Sequence, residues 1–132
     1  MVNEIEKILA IIHHQKEVRG RTRIQKLIYL LQKQDRIEIG YNFIPYHYGP
    51  YSQDLQRDIN LLEVAGFLQV DHQEDNLYIH SLSKQGHDAA RRIISEMENS
   101  DSQNLVNHLD CYREISTQTL IHRAKEFAGM LT

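Results

Sequence analysis

The sequence predicts a mainly α protein with a small β-sheet, an α+β fold. Three observations predict it. Apolar residues recur at three- and four-residue spacing in six separate stretches, the periodicity of helices with a buried face. Two alternating stretches flank the polar tip Gln73-Glu74-Asp75, as the strands of a hairpin do. Between the second and third helical stretches, the eleven residues Tyr41 to Tyr51 hold four of the seven tyrosines and both prolines. Ordering such an insert costs conformational entropy that only packing or binding of its rings can offset.

The 132 residues are enough for one core without disulfides or metals. Net charge is −3 with eight histidines. That is not the balance of a general nucleic-acid coat protein, so DNA binding would need a local basic patch. The single cysteine, Cys111, cannot close an internal disulfide and suits a reducing compartment, here the cytoplasm. Met1 to Ile12 has no continuous apolar run and reads as neither a signal peptide nor a membrane span.

Each element has its own signals. The first helix is expected over Val2–Gln15, with Val2, Ile5, Ile8, Leu9 and Ile12 on one side and Gly20 breaking it. Thr22 is the expected cap of a second helix, whose buried face is Ile24, Leu27, Ile28 and Leu31 and whose wetter side carries Lys26 and Lys33. Ile37, Ile39, Tyr41 and Phe43 alternate and predict a strand over 35–43. Pro45 and Gly49-Pro50 should end regular structure. Ser52 then caps a third helix with Asp54 in its first turn, a stripe of Leu55, Ile59 and Leu62, and Gly66 just past its end.

Residues 67–72 and 76–82 predict the two strands of the hairpin. Ser83 caps a fourth helix bearing Ala89, Ala90, Ile93, Ile94 and Met97. A polar hinge over 99–103 precedes two shorter helices, one with Leu105, Val106, Leu109 and Tyr112, the other with Leu120, Ile121, Ala124, Phe127 and Leu131. The order helix, helix, strand, helix, hairpin, helix is that of a winged helix-turn-helix with a lengthened turn. It divides the chain into a winged-helix domain, 1–98, and a C-terminal helical extension, 99–132, for packing or dimerisation.

Gly20-Arg21-Thr22 leads into Ile24-Gln25-Lys26-Leu27-Ile28-Tyr29-Leu30-Leu31. Tyr48-Gly49-Pro50-Tyr51-Ser52 follows the insert, then Leu55, Leu62, Gly66-Phe67, Tyr78, Leu82 and Gly86. This set, over about Ile5 to Ile94, resembles the YwgA-like prokaryotic proteins and, more distantly, the Panacea (SocA-like) antitoxin domain. The first resemblance implies a winged-helix fold without a settled biochemistry. The second implies a protein that binds and neutralises a toxin. Residues 62–86 also resemble the recognition-helix-and-wing half of MarR-type repressors, which would imply duplex DNA.

The chemistry leaves two readings open. For DNA, the third helix offers Gln53, Gln56, Arg57 and Asn60, types that read adenine and guanine edges. Against it stand Asp54, Asp58 and Glu63 on the same helix, with Asp71, Glu74 and Asp75 on the wing, all repelling phosphate. Basic charge collects instead at Lys16, Arg19, Arg21, Arg23 and Lys26, with Lys33 and Arg36 further on, facing only Glu17 and Asp35. Such a cluster suits phosphates, an acidic protein surface, or a self-complementary homodimer. For protein capture, the insert offers Tyr46 and His47 as exposed residues, with Tyr48 and Tyr51 expected to pack and Pro50 to set the entry into Ser52.

Enzyme readings lack parts. Cys111 and His108 share a helix but no glycine-rich oxyanion turn accompanies them, so a buried or half-buried thiol is expected. His13 and His14 diverge around a helix, while His72 and His80 could meet across the hairpin without a third ligand. No catalytic residue, metal or cofactor is assigned. The sequence reading is therefore a cytoplasmic DNA-binding transcriptional regulator, homodimeric, in a toxin-antitoxin or phage-defence setting. Its rival is a protein-binding adaptor or antitoxin-like module, with a partner such as a toxin, acting through Tyr46, His47, Tyr48 and Tyr51.

Overall fold

The computed structural model describes residues 2–131. Helix α1, Glu4–Gln15, starts at Asn3, whose side chain accepts from the Glu6 backbone while Glu6 reaches back to Asn3. This capping box stabilises the first turn and starts the helix later than the Val2 expected. Lys16 at φ 71 ends it, rather than Gly20. Strand β1, Glu17–Arg19, follows unforeseen. It is too short for its alternation to be legible.

Helix α2, Arg21–Lys33, begins one residue before the expected cap Thr22, from Gly20, which supplies no side-chain cap. Every residue from Ile24 to Leu31 is buried, so the expected one-sided stripe is wrong for α2. A helix surrounded by neighbours loses its wet face: β1, residues 49–51 and residues 117–127 all pack on it. The same holds for α1, buried from Ile8 to Ile12 among β1 and the later segments 53–64, 78–82, 84–96 and 99–112.

The strand expected over 35–43 is absent. Ile39 and Tyr41 are buried and Ile37 and Phe43 partly so, which accounts for the alternation. The backbone there finds a side chain instead of a partner strand. Gln32 Oε1 accepts from the Gly40 and Tyr41 N–H groups at 2.9 and 2.8 Å, and its Nε2 donates to the Tyr41 carbonyl at 2.8 Å. Regular structure then appears where Pro45 and Pro50 were expected to end it: β2, Ile44–Tyr46, pairs antiparallel with β3, Gly49–Tyr51.

Helix α3, Gln53–Val64, is capped by Ser52, buries Leu55, Ile59 and Leu62, and ends ahead of Gly66 at φ 87, all as expected. Strands β4, Leu68–His72, and β5, Tyr78–Leu82, form the wing across a short 3₁₀ turn, Glu74–Asn76. Strand β1 joins them antiparallel in the order β1-β5-β4. Topologically this is a winged helix-turn-helix.

Helix α4, Lys84–Glu96, is capped by Ser83. Helix α5, Asn99–Tyr112, occupies the stretch expected to be a polar hinge, so the break is only Met97 and Glu98. Helix α6, Thr117–Phe127, ends before Leu131. Leu105, Leu109, Tyr112, Leu120 and Ala124 belong to the same core as α1 and α2. No helix among the described residues is long and apolar enough to cross a membrane.

Candidate binding surface

The insert is a hairpin with register Ile44↔Tyr51, Pro45↔Pro50 and Tyr46↔Gly49, turning at His47-Tyr48. Two proline residues in six strand positions remove ladder donors, so the pairing alone is weak. Its rigidity comes from α2. The Gln25 side chain is buried and clamps Ser52 at both ends, Nε2 donating to the Ser52 carbonyl at 2.9 Å and Oε1 accepting from the Ser52 N–H at 2.8 Å. The neighbouring Lys26 Nζ donates to the Pro50 carbonyl at 2.9 Å. The adjacent Gln-Lys pair of α2 thus grips alternate residues of Pro50-Tyr51-Ser52.

Gly49 is required at the same place. Its φ is 109, and a Cβ there would lie 3.2 Å from both Lys26 Cε and Lys125 Cγ. At the base of the insert, the Tyr41 hydroxyl donates to Asp58 Oδ2 at 2.7 Å, tying the segment to α3. Burial, then the Asp58 carboxylate, holds the Tyr41 phenol far above its ordinary range.

What this frame presents is apolar and aromatic. Ile44, Tyr46 and Tyr48 are 54%, 53% and 65% exposed. The expectation that Tyr48 packs is therefore wrong: as a turn residue it points off the hairpin instead of into the domain. Tyr51 is half-buried, and the Tyr46 ring lies 5.2 Å from it and 4.5 Å from exposed His47. Helix α3 adds Leu61 and Val64, 51% and 86% exposed.

The expected basic cluster does not form one surface. Arg23 turns inward and donates to Thr117 Oγ1 at 3.2 Å and the Tyr112 carbonyl at 3.0 Å, joining α2 to the extension. Lys26, expected on a wet side, is 2% exposed. Burial first, then the Lys125 charge, lowers its ammonium to about 8. Arg19 stays outside, 3.5 Å from Glu17, and Arg21 lies 3.7 Å over the Tyr78 ring. Lys33 and Arg36 are exposed at the other end of α2.

On α3, Gln53, Arg57 and Asn60 are exposed and Gln56 half-buried, its amide donating to Asn60 Oδ1 at 3.1 Å. Arg57 is the one cation of α3 and the wing, and it is already 3.3 Å from Asp54 and 3.9 Å from Asp58. The remaining candidates scatter. Cys111 is exposed, against expectation, and His108 engages the Asn104 carbonyl and Asp35 rather than the thiol. His72 stacks on Tyr78 while His80 is buried and donates from Nδ1 to the Val18 carbonyl, so the two do not meet. His14 reaches Asp110 at 2.8 Å, and His13 meets His87 at 3.0 Å.

Sequence reasoning missed Gln25, Gln32 and Lys125. For Gln25 a signal existed: an uncharged amide inside an unbroken run of residues that pack, where it needs backbone partners. Lys125 left none. Compared with known proteins, the chain matches no family model and no curated protein.

Proposed function

We propose that this chain is a protein-binding module that uses a winged-helix frame to present its aromatic hairpin to a partner with an acidic surface. The observation that carries the reading is the pairing of exposure with rigidity. Tyr46 and Tyr48 are largely outside, yet their short hairpin is held by three buried hydrogen bonds from Gln25 and Lys26. Rings fixed before binding lose little entropy on binding, which is how tyrosines become hot spots. Arg21, Lys26 and Lys125 lie around the hairpin without a carboxylate partner among the described residues, which selects an acidic partner. The kinship with YwgA-like and Panacea domains, and an antitoxin-like role, belong to this same proposal.

Duplex DNA is the second reading, supported by the topology and by the exposed Gln53, Arg57 and Asn60 on α3. A regulator of this kind would act as a homodimer on paired half-sites. Its weakness is electrostatic, since the wing carries Asp71, Glu74 and Asp75 and no cation.

One experiment separates the two. Affinity capture is run with wild type, with Tyr46→Ser/Tyr48→Ser, and with Arg57→Ala/Asn60→Ala, beside anisotropy on random duplex DNA at low and moderate salt. Protein capture predicts a species retained by wild type and the α3 variant but lost by the tyrosine variant. Salt-sensitive DNA binding that disappears in the α3 variant would replace this reading by the second.

A further inference from the structure

We propose that the cleft between the start of α2 and the aromatic hairpin seats an oxyanion, the carboxylate or phosphate of an acidic residue on the captured partner. This rests on the hairpin being a docking element and names the chemistry of what docks. The cleft has a volume of about 180 Å³ and is lined by Arg21, Thr22, Lys26, Tyr46, Tyr48 and Gln56 among others. One water needs only about 15 Å³ by the same measure, so a charged group with a short stem fits.

The first reason is an unbalanced charge. The Lys26 ammonium is taken out of water, and among the described residues one of its three donors is spent, on the Pro50 carbonyl. No carboxylate pairs with it among the described residues. The neighbouring charge from α6 is Lys125, of the same sign. A buried ion without a counter-charge is costly, and an anion carried in by a ligand would offset that cost.

The second reason is the beginning of α2. Gly20 offers no side-chain cap and the first turn holds no acid, so neither supplies compensation for the first-turn N–H groups and the positive dipole end. The chain places Arg21 there instead, adding to the positive potential. An oxyanion relieves both features at once. The third is the wall: Tyr46 and Tyr48 flank the cleft and exclude water from a docked group, which strengthens the ion pair.

The test is an NMR titration of the full chain at constant ionic strength with sodium acetate and with inorganic phosphate, sodium chloride serving as the reference. The expected result is saturable shifts at the amides of Thr22, Lys26, Tyr48 and Gly49. The Lys26 ammonium, which burial lowers to about 8, should titrate higher with the probe bound than in the chloride reference. Affinity should then fall towards tenfold per pH unit above that midpoint. Tighter phosphate assigns a phosphorylated residue, and tighter acetate a carboxylate.

Lys26→Met removes the seat but also the bond to Pro50, so Lys125→Glu is the companion variant. It supplies an internal carboxylate beside Lys26 and should weaken probe binding at least about tenfold in a folded protein. Shifts that fail to saturate, an unmoved Lys26 midpoint, or undiminished binding in Lys125→Glu would overturn the seat. Loss of the seat leaves tyrosine-dependent capture standing. Loss of capture with saturable anion binding refutes the docking reading instead.

Discussion

Replacing Gln25 by methionine keeps side-chain length and removes only the amide. Two buried bonds are lost. Among the described residues the Ser52 N–H has no other acceptor, so it becomes an orphan donor in the core, costing about 1–3 kcal/mol. The Ser52 carbonyl keeps the helical bond from the Gln56 N–H at 3.2 Å, so its loss is that of one ordinary bond, about 0.5–1.5 kcal/mol. Burying an apolar side chain instead of an amide returns part of this, leaving a net cost of about 1–3 kcal/mol. For a chain of this size each kcal/mol shifts the midpoint by about 3–6 °C, so Tm should fall by about 3–18 °C. Thermal unfolding followed by circular dichroism reads the shift, and amide exchange should show the loss concentrated at Gly49 to Ser52. A variant within about 0.5 kcal/mol of wild type would mean that the hairpin is held by something other than this clamp.

Two further perturbations test the frame. A Cβ on Gly86 would run into the Phe67 carbonyl oxygen, which is backbone and already accepts from Ser83. Gly86→Ala should therefore cost about 3 kcal/mol or more, read as a lower urea midpoint, and an unchanged midpoint would contradict the close approach of α4 to the wing. Stability should also fall in acid. Burial first lowers the pKa of His13, with His87 and Arg91 adding to it, and burial likewise lowers that of His80. Both stay neutral in the fold while the unfolded chain takes up protons, so their contribution is complete above the ordinary 6.5 and is lost as pH falls from there towards the depressed values. Urea midpoints at pH 7.5 and 5.5 check this; His13→Gln with His80→Gln should flatten the dependence, and equal midpoints in wild type would contradict it.

The helices and the wing were legible because their signals are local: Ser52, Ser83 and Gly66 cap and stop as their chemistry requires. The stretch around Ile39 and Tyr41 misled because burial alternates there while the hydrogen bonds come from Gln32, a side chain nine residues from Tyr41. Local periodicity carries no information about such a partner. Charge was misread for a related reason. Arg23 and Lys26 sit at positions that would be wet on a two-sided helix, and only the packing of α6 and β3 turns them inward. The motif pair of α2 and the Tyr-Gly-Pro turn was visible, but not that its members bond one another. That bonding makes Pro50 and Ser52 structural members of the motif, whereas Tyr48, also a member, stays exposed beside Tyr46.

The most direct measurement titrates a captured partner against wild type and against Tyr46→Ser/Tyr48→Ser, with circular dichroism confirming that both are folded. Hot-spot rings on a rigid hairpin predict a loss of about 2 kcal/mol or more, at least about thirtyfold in Kd. A Kd within about threefold of wild type would contradict the claim that the hairpin is where this domain meets its partner.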